Sequence, residues 1–319
     1  MRHRAITVLL LVATALGGVA VHRSVGPDSA RADLVGVDAA HAAAAPAGAL
    51  GYWTDDRMRR AEHADDLAAI RASQRRQAIA APAAHRLAAV APPVVRAAPW
   101  PLRGLVGRAV GRVFFTLGGH DYACTGTAVV SRNRDTVATA GHCLNAGPGA
   151  YARNWIFVPG YRNGSRPYGT WTARRLLAPT AWVRTGSTQD DIGFAEVNRR
   201  GGRHLTDVVG AMRIAFNQPV GAYVWAFGYP VGAPSLGRYV MYCRGTVRRD
   251  PYGTTAQGLG CSMGGGSSGG PWLAGLSGTT GGGTVYALTS FSYRGMPAVV
   301  WAPSLGGTAA ALYRVAERA

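Results

Sequence analysis

The sequence contains no lysine, because all 34 of its basic residues are arginine in a chain of 319 residues. A P-loop needs a lysine beside its phosphates, a protein kinase needs one on a strand, and a pyridoxal enzyme needs one for its Schiff base. These three classes of site are therefore excluded. The sequence also lacks the His-Glu-x-x-His signature of zinc peptidases, and it has no Gly-x-Gly-x-x-Gly between a strand pattern and a helix pattern. We expect no cofactor.

Acidic residues are few as well, at 16, so the formal net charge is +18. Residues 101–319 carry most of this excess, with 22 arginines and 8 acidic residues. Such a charge would suit nucleic acid or an acidic polymer. The arginines are scattered singly and in pairs, however, without a basic helix or a known binding motif. The pattern favours a solvated basic surface and no nucleic-acid partner.

A mostly apolar, uncharged run that follows a positive segment lies near the start of the chain. The positive segment Arg2–Arg4 is followed by a mostly apolar run over residues 5–21, and small residues suit cleavage near residue 20 or residue 32. This layout predicts a secretory signal in residues 1–32. An uncleaved membrane anchor is the alternative, since 17 residues lie at the lower limit for crossing a bilayer. After cleavage we expect a secreted protein without stable membrane insertion, either free or associated with the cell wall.

Cysteine is rare, with Cys124, Cys143, Cys243 and Cys261 the only four. Their spacing lacks the C-x-x-C pairs of a zinc site, and an exported chain meets oxidising conditions. Four cysteines allow three connectivities. We predict pairing of sequence neighbours, Cys124 with Cys143 and Cys243 with Cys261, each contributing ~3 kcal/mol in the chain-entropy treatment.

The composition divides the rest of the chain into two parts. Residues 33–104 are rich in alanine and proline, which predicts a poorly packed segment with one helix from Asp55, capped by Thr54, to about Ala80. This segment is either a propeptide removed after export or a spacer. From residue 105 onward, short runs of β-branched and aromatic residues alternate with turn residues, which predicts an all-β fold and one C-terminal helix.

Two local motifs in the β-rich part carry nucleophile chemistry. They are Thr139–Cys143 (Thr-Ala-Gly-His-Cys) and Gly266–Pro271 (Gly-Ser-Ser-Gly-Gly-Pro). A serine that attacks a carbonyl needs a base, a carboxylate to orient that base, and donors for the oxyanion. In α/β-hydrolases the histidine follows the serine, but the last histidine here is His204, so that class is excluded. Ser268 is therefore the predicted nucleophile of another architecture.

The base and the carboxylate must precede Ser268 in the chain. His142 lies beside a cysteine that can hold its loop, whereas His120 and His204 lie in polar stretches and are expected at the surface. Asp191 adjoins an apolar strand pattern and is the predicted carboxylate, with its neighbour Asp190 as the alternative. The resulting order of His, Asp and Ser is that of chymotrypsin-type enzymes.

On these residues the sequence resembles the chymotrypsin (trypsin-like) serine protease family, in the secreted bacterial branch that includes glutamyl endopeptidases. The resemblance covers residues 105–319. It implies two six-stranded antiparallel β-barrels, over residues 105–205 and 206–319, with the catalytic residues between them. It also implies an oxyanion hole formed by the backbone N–H groups of Gly266 and Ser268, and it places Ser262, Ser290 and Ser292 in the substrate-binding region, with Ser290 also supporting the aspartate.

Three departures from the family bear on activation and specificity. Ser267 stands where animal enzymes carry an aspartate that pairs with the new N-terminus, so that activation switch is absent. The segment Cys261–Gly265 has no acid, which disfavours cleavage after arginine or lysine. Thr289 stands where glutamyl-specific relatives have a histidine. A neutral or small apolar residue before the scissile bond is the remaining prediction.

The leading functional prediction is a monomeric, secreted serine endopeptidase that hydrolyses protein or peptide substrates through an acyl-enzyme. The alternative is an inactive protein of the protease fold that binds acidic cell-wall polymers through its arginines.

Overall fold

The computed structural model describes residues 37–41, 46–64, 93–101, 103–232, 234–293, 296 and 298–318. The expected secretory signal lies outside these residues, as does the expected helix after Ala64. Among the residues that are described, no helix is both long and apolar enough to cross a membrane.

Six antiparallel strands close into a barrel in the first half of the chain. Their order around the barrel is β8-β7-β4-β5-β6-β9, and pairing of β9 with β8 completes the ring. The strands are β4 (Val110–Leu117), β5 (His120–Ala128), β6 (Thr136–Thr139), β7 (Arg153–Pro159), β8 (Trp171–Pro179) and β9 (Gly193–Val197). Branched and aromatic side chains favour this pleated geometry, and Phe114, Phe157 and Phe194 are completely buried.

Three short strands from the N-terminal segment extend the sheets. β1 (Val37–His41) pairs antiparallel with β8, and β2 (Glu62–His63) pairs in parallel with β5. β3 (Ala98–Pro99) pairs with a strand of the second half. Two helices, α1 (Pro46–Tyr52) and α2 (Asp55–Arg60), lie before β2. Residues 46–64 are therefore packed, contrary to the expectation of a poorly packed segment.

The helix expected from Asp55 to about Ala80 ends at Arg60, so that prediction is wrong over residues 61–64. Thr54 caps α2 as predicted, since its hydroxyl accepts a hydrogen bond from the backbone N–H of Arg57. The chain leaves the helix at Ala61 because Glu62 and His63 pair with the edge of β5. Strand pairing with a distant part of the chain overrides the local helix propensity here.

The second half consists of a six-stranded and a three-stranded sheet. The larger sheet has the order β10-β16-β15-β11-β12-β3, and the smaller has the order β13-β14-β17. Their remaining strands are β10 (Arg213–Ile214), β11 (Tyr223–Gly228), β12 (Met241–Thr246), β13 (Arg248–Arg249), β14 (Gln257–Gly260), β15 (Pro271–Ala274), β16 (Thr284–Leu288) and β17 (Val299–Ala302). The all-β prediction is confirmed.

Short helices connect the strands, and the last helix joins the two halves. The helices after residue 104 are α3 (Val106–Ala109), α4 (Thr180–Thr185), α5 (Leu205–Val209) and α6 (Gly307–Ala316). The carbonyl of Ala316 accepts a 2.7 Å hydrogen bond from the side chain of Asn133, and Tyr313 packs on Phe194 with ring centroids 5.6 Å apart. The chain therefore returns to the first barrel at its C-terminus.

Two polar residues depart from the expected surface positions. His204 is only 8% exposed, and its Nδ1 lies 2.7 Å from the carboxylate of Asp135, so the prediction that it lies at the surface is wrong. Arg112 is buried over the rings of Phe114 and Tyr161, and this burial lowers its pKa. His120 is exposed, as expected.

Both predicted disulfides are present, Cys124–Cys143 and Cys243–Cys261. We expect replacement of Cys243 and Cys261 by alanine to lower the free energy of unfolding by ~3 kcal/mol, because the unfolded chain regains the freedom of an 18-residue loop. Denaturant titration under oxidising conditions measures this loss. Reduced wild-type protein should unfold at a denaturant concentration no higher than the midpoint of the oxidised variant. Equal midpoints for the oxidised wild type and the oxidised variant would contradict the expectation.

Candidate active site

His142 is held at the end of a barrel strand by local backbone and by a disulfide. β6 ends at Thr139, and a single 3-10 turn over Gly141–Cys143 follows it. The disulfide from Cys143 to Cys124 ties this turn to β5. A Cβ at position 141 would lie 3.1 Å from the carboxylate of Asp191, so glycine allows that carboxylate to come close. The imidazole is therefore fixed in position and fully buried.

Asp191 lies just before β9 and grips the histidine at two points. Its Oδ2 is 2.7 Å from Nδ1 of His142, and its Oδ1 accepts a 2.7 Å hydrogen bond from the backbone N–H of the same residue. The hydroxyl of Ser290 donates a 2.5 Å hydrogen bond to Oδ2. Because a carboxylate can only accept, Nδ1 carries a proton and Nε2 is the ring nitrogen able to take one.

The neighbouring Asp190 does not share this arrangement. The structure pairs His142 with Asp191. Partial burial raises the pKa of the Asp190 carboxyl above its usual value. The geometry thus favours Asp191 over Asp190 as the carboxylate that holds His142.

Ser268 is held by contacts from the first barrel. The backbone N–H of Thr125 donates a 2.8 Å hydrogen bond to the carbonyl of Ser268, and that carbonyl lies 3.9 Å from Sγ of Cys143. The hydroxyl of Thr125 donates to the carbonyl of Gly266 at 2.9 Å and accepts from the backbone N–H of Tyr229. β5 thus brings the serine loop against the turn that carries His142, and Ser268 is only 1% exposed.

The serine loop requires glycine at Gly266. Its φ is +89°, and a Cβ there would lie 2.7 Å from the carbonyl oxygen of Tyr229. A side chain would be strained at this φ and would collide with that backbone. The loop can therefore follow this path only without a Cβ at position 266.

The other predicted substrate-region serines lie at different places. Ser262 is exposed, and its hydroxyl accepts a 2.9 Å hydrogen bond from the backbone N–H of Ala97. Ser292 donates to the carbonyl of Val299 at 2.9 Å. Ser290 is the one of the three that the structure joins to Asp191.

Two residues near the site, Thr125 and His63, were not identified from the sequence. Thr125 lies in an ordinary strand pattern, and its role depends on contacts with residues more than 100 positions away. His63 lies in the alanine-rich segment, yet its ring packs beside Gly265, where a Cβ would be 2.6 Å from its Cγ. Neither carries a local signal.

Within the described part of the chain, Cys124, His142 and Cys143 are grouped closely enough to suggest a metal site. The two cysteines form a disulfide, so they offer no thiolate, and Nδ1 of His142 faces Asp191. These residues do not fit a metal centre.

Comparisons with known proteins give a consistent result. No protein-family model matches the chain. The protease Anisep from Arthrobacter nicotinovorans is 44% identical with a TM-score of 0.63, covering 66% of this chain and 96% of that one. The thermostable serine protease AL20 from an extremophilic microorganism is 41% identical with a TM-score of 0.63, covering 67% and 98%. A Glu endopeptidase structure, 17% identical with a TM-score of 0.56, covers 71% and 99% and supports the fold alone.

A curated relative matches over a shorter stretch. The extracellular metalloprotease of Bacillus subtilis (strain 168) is 30% identical over 109 residues, which is 34% of this chain and 34% of that protein. The match thus spans about a third of the length of that relative. The proteases Anisep and AL20, by contrast, align over nearly their whole length at more than 40% identity. Together with the β-barrel fold, this shows that the chain belongs to the chymotrypsin-like serine protease family.

Proposed function

We propose that the protein is a secreted serine endopeptidase in which Ser268 is the nucleophile, His142 the general base and acid, and Asp191 the group that orients the histidine. The observation that carries the proposal is the 2.7 Å pairing of a fully buried Asp191 with Nδ1 of His142, in a turn packed against the loop of Ser268. A buried carboxylate that accepts a hydrogen bond from one imidazole nitrogen orients the ring so that the other nitrogen can take a proton from a serine hydroxyl.

The proposed reaction follows from these positions. Nε2 of His142 takes the proton of the Ser268 hydroxyl as Oγ bonds to the peptide carbonyl carbon. The proton then passes to the leaving amine as the C–N bond breaks, which leaves an acyl-enzyme. Water then attacks the acyl carbon as His142 takes its proton. The bond from that carbon to Oγ of Ser268 breaks, His142 returns the proton to Oγ, and the carboxylic acid product leaves. Asp191 stabilises the imidazolium that forms in each half-reaction.

Charge on the carbonyl oxygen needs donors in the tetrahedral intermediate. We assign this role to the backbone N–H groups of Gly266 and Ser268. Glycine at position 266 permits the left-handed φ of +89° there, and this close-packed backbone supports the assignment.

The organisation of the chain follows from the same proposal. Residues 1–32 direct export, residues 33–104 are a propeptide, and residues 105–205 and 206–319 form the two catalytic halves. The two disulfides agree with an oxidising compartment. The substrates are proteins or peptides, with a neutral or small apolar residue before the scissile bond.

A fluorophosphonate probe tests the proposed nucleophile directly. We expect the wild-type protein without the proposed propeptide to be labelled on the peptide that contains Ser268, as identified by mass spectrometry, and Ser268→Ala in the same form to remain unlabelled. Ser165→Ala, on an exposed turn, is the matched control and should be labelled as the wild type is. Equal labelling of wild type and Ser268→Ala would overturn the proposal and favour an inactive protein of the protease fold.

The hydrogen bond from Ser290 to Asp191 should contribute to turnover. Ser290→Ala removes a donor to a buried charged group, a change of ~1.5–3 kcal/mol, so kcat should fall by roughly 10- to 100-fold. Ser304→Ala removes a comparable hydroxyl, which bonds to the carbonyl of Thr255, and serves as the control. Steady-state hydrolysis by the two variants checks this, and equal kcat values would contradict it.

A further inference from the structure

Residues 46–64 are anchored on the first barrel by buried side chains. Trp53 is 2% exposed, its ring centroid is 5.5 Å from that of Phe114 in β4, and its Nε1 donates a 2.6 Å hydrogen bond to the carbonyl of Asn154. Met58 is 1% exposed. Buried tryptophan and methionine side chains supply most of the binding energy of a short segment. This segment is therefore docked rather than merely tethered.

A polar cluster reinforces the anchor. The carboxylate of Asp121, at the start of β5, accepts a 2.7 Å hydrogen bond from the hydroxyl of Tyr52 and a 2.9 Å hydrogen bond from the guanidinium of Arg57. The same guanidinium lies 4.1 Å from the centroid of the Tyr52 ring. Asp55 also pairs with Arg166 of the barrel. Polar and charged side chains of the segment thus contact two charged residues of the barrel: Tyr52 and Arg57 contact Asp121, and Asp55 contacts Arg166.

The end of the segment lies at the active site. His63 is in register with Ala123, two residues before the Thr125 whose backbone N–H binds the carbonyl of Ser268. On its other side the ring of His63 packs beside Gly265, three residues before Ser268. Glu62–Ala64 therefore runs between β5 and the serine loop, and Ala64 is completely buried there.

We propose that residues 46–64 are an inhibitor peptide built into the chain, and that the surface of the first barrel also binds them as a separate peptide. The inference rests on the proposed function. The two helices supply the anchor, and Glu62–Ala64 occupies space beside Ser268 that a polypeptide substrate needs. His142 and Ser268 are both almost fully buried, which agrees with a closed site. Activation then requires both cleavage after residue 64 and loss of the segment.

The test uses the full chain with the recognition sequence of a site-specific protease inserted between residues 64 and 93. After cleavage, gel filtration reports whether residues 46–64 stay bound, and the rate of fluorophosphonate labelling reports access to Ser268. We expect the cut wild-type protein to retain the segment and to be labelled as slowly as the uncut chain. Cut protein that retains the segment but is labelled fast would overturn the proposal.

Variants separate anchoring from occlusion. In the cut protein, Trp53→Ala should release the segment and raise the labelling rate by roughly 100-fold, the scale expected for removing a buried tryptophan from an interface. Arg59→Ala, at an exposed position of the same segment, is the control and should change neither reading. His63→Gly should leave the segment bound but speed labelling. Unchanged labelling in both the Trp53 and the His63 variants would contradict the proposal.

A peptide added in trans distinguishes release from misfolding. Synthetic peptide 46–64, added to the cut Trp53→Ala protein, should restore slow labelling, which requires a folded docking surface. If neither the intact nor the cut protein is labelled, even after the segment has been released, the proposed catalytic function fails. Gel filtration still shows in that case whether residues 46–64 bind to the first barrel. If the peptide neither binds nor slows labelling of an active protein, the inhibitor proposal fails and the proposed function stands.

Discussion

Replacing Ser268 by alanine should lower kcat for peptide hydrolysis on the order of 10⁶-fold, with little change in KM. The variant retains the buried pair of His142 and Asp191 but has no oxygen that can form an acyl-enzyme. The backbone of Ser268 holds its place through its carbonyl, which accepts from Thr125, so the substitution leaves the loop intact. Removing one hydroxyl therefore tests chemistry rather than folding.

The measurement is hydrolysis of an unstructured protein substrate after release of the N-terminal segment. Ser165→Ala is again the matched control and should retain the wild-type rate. Circular dichroism and thermal unfolding should agree between Ser268→Ala and wild type. A residual rate within tenfold of wild type would show that Ser268 is not the nucleophile.

Asp191→Asn should lower kcat on the order of 10⁴-fold. An amide can donate where the carboxylate only accepts, and it lacks the charge that stabilises the imidazolium. The amide of the Asp191→Asn variant would then point its N–H group at Nδ1 of His142, so the imidazole would carry its proton on Nε2 instead. Nε2 is the atom that must accept a proton from Ser268, so this tautomer cannot act as the base. The same substitution weakens the hydrogen bond from Ser290. The loss should therefore appear mainly in kcat.

Asp190→Asn is the control for Asp191→Asn, because it makes the same chemical change one position earlier. We expect its kcat to stay within about threefold of wild type, since its side chain is not the one paired with His142. Both variants should keep the wild-type circular dichroism spectrum. The reverse result, with activity lost in Asp190→Asn and kept in Asp191→Asn, would transfer the orienting role to Asp190.

Much of the active site could be predicted from the sequence because its signals are local. The histidine and serine each lie in a short motif whose neighbours, Cys143 and Gly266, are needed for a disulfide and for an unusual backbone shape. The order of these motifs along the chain excludes other hydrolase folds. Disulfide pairing followed from proximity in sequence as well, and the all-β class followed from the alternation of strand and turn residues.

Other features depend on contacts between distant parts of the chain. Ser290 bonds to an acid 99 residues away, and this contact distinguishes Asp191 from Asp190 in space although the two are adjacent in sequence. His204 appears polar and exposed in sequence but is buried because Asp135 lies beside it. In each case the partner is brought in by the fold, so no local pattern contains it.

Residues 33–104 show most clearly the difference between what local sequence predicts and what distant contacts decide. Their alanine and proline content predicts weak packing, since the segment cannot form a core by itself. Residues 46–64 nevertheless pack on the first barrel, because it offers an apolar surface at Phe114 for Trp53 and a strand edge at Ala123 for His63. The sequence alone pointed to the candidate residues, His142, Asp191 and Ser268, and to the class of chemistry we propose for them. Only the tertiary structure decided which residues lie around Ser268, because burial and strand pairing arise between residues far apart in the chain.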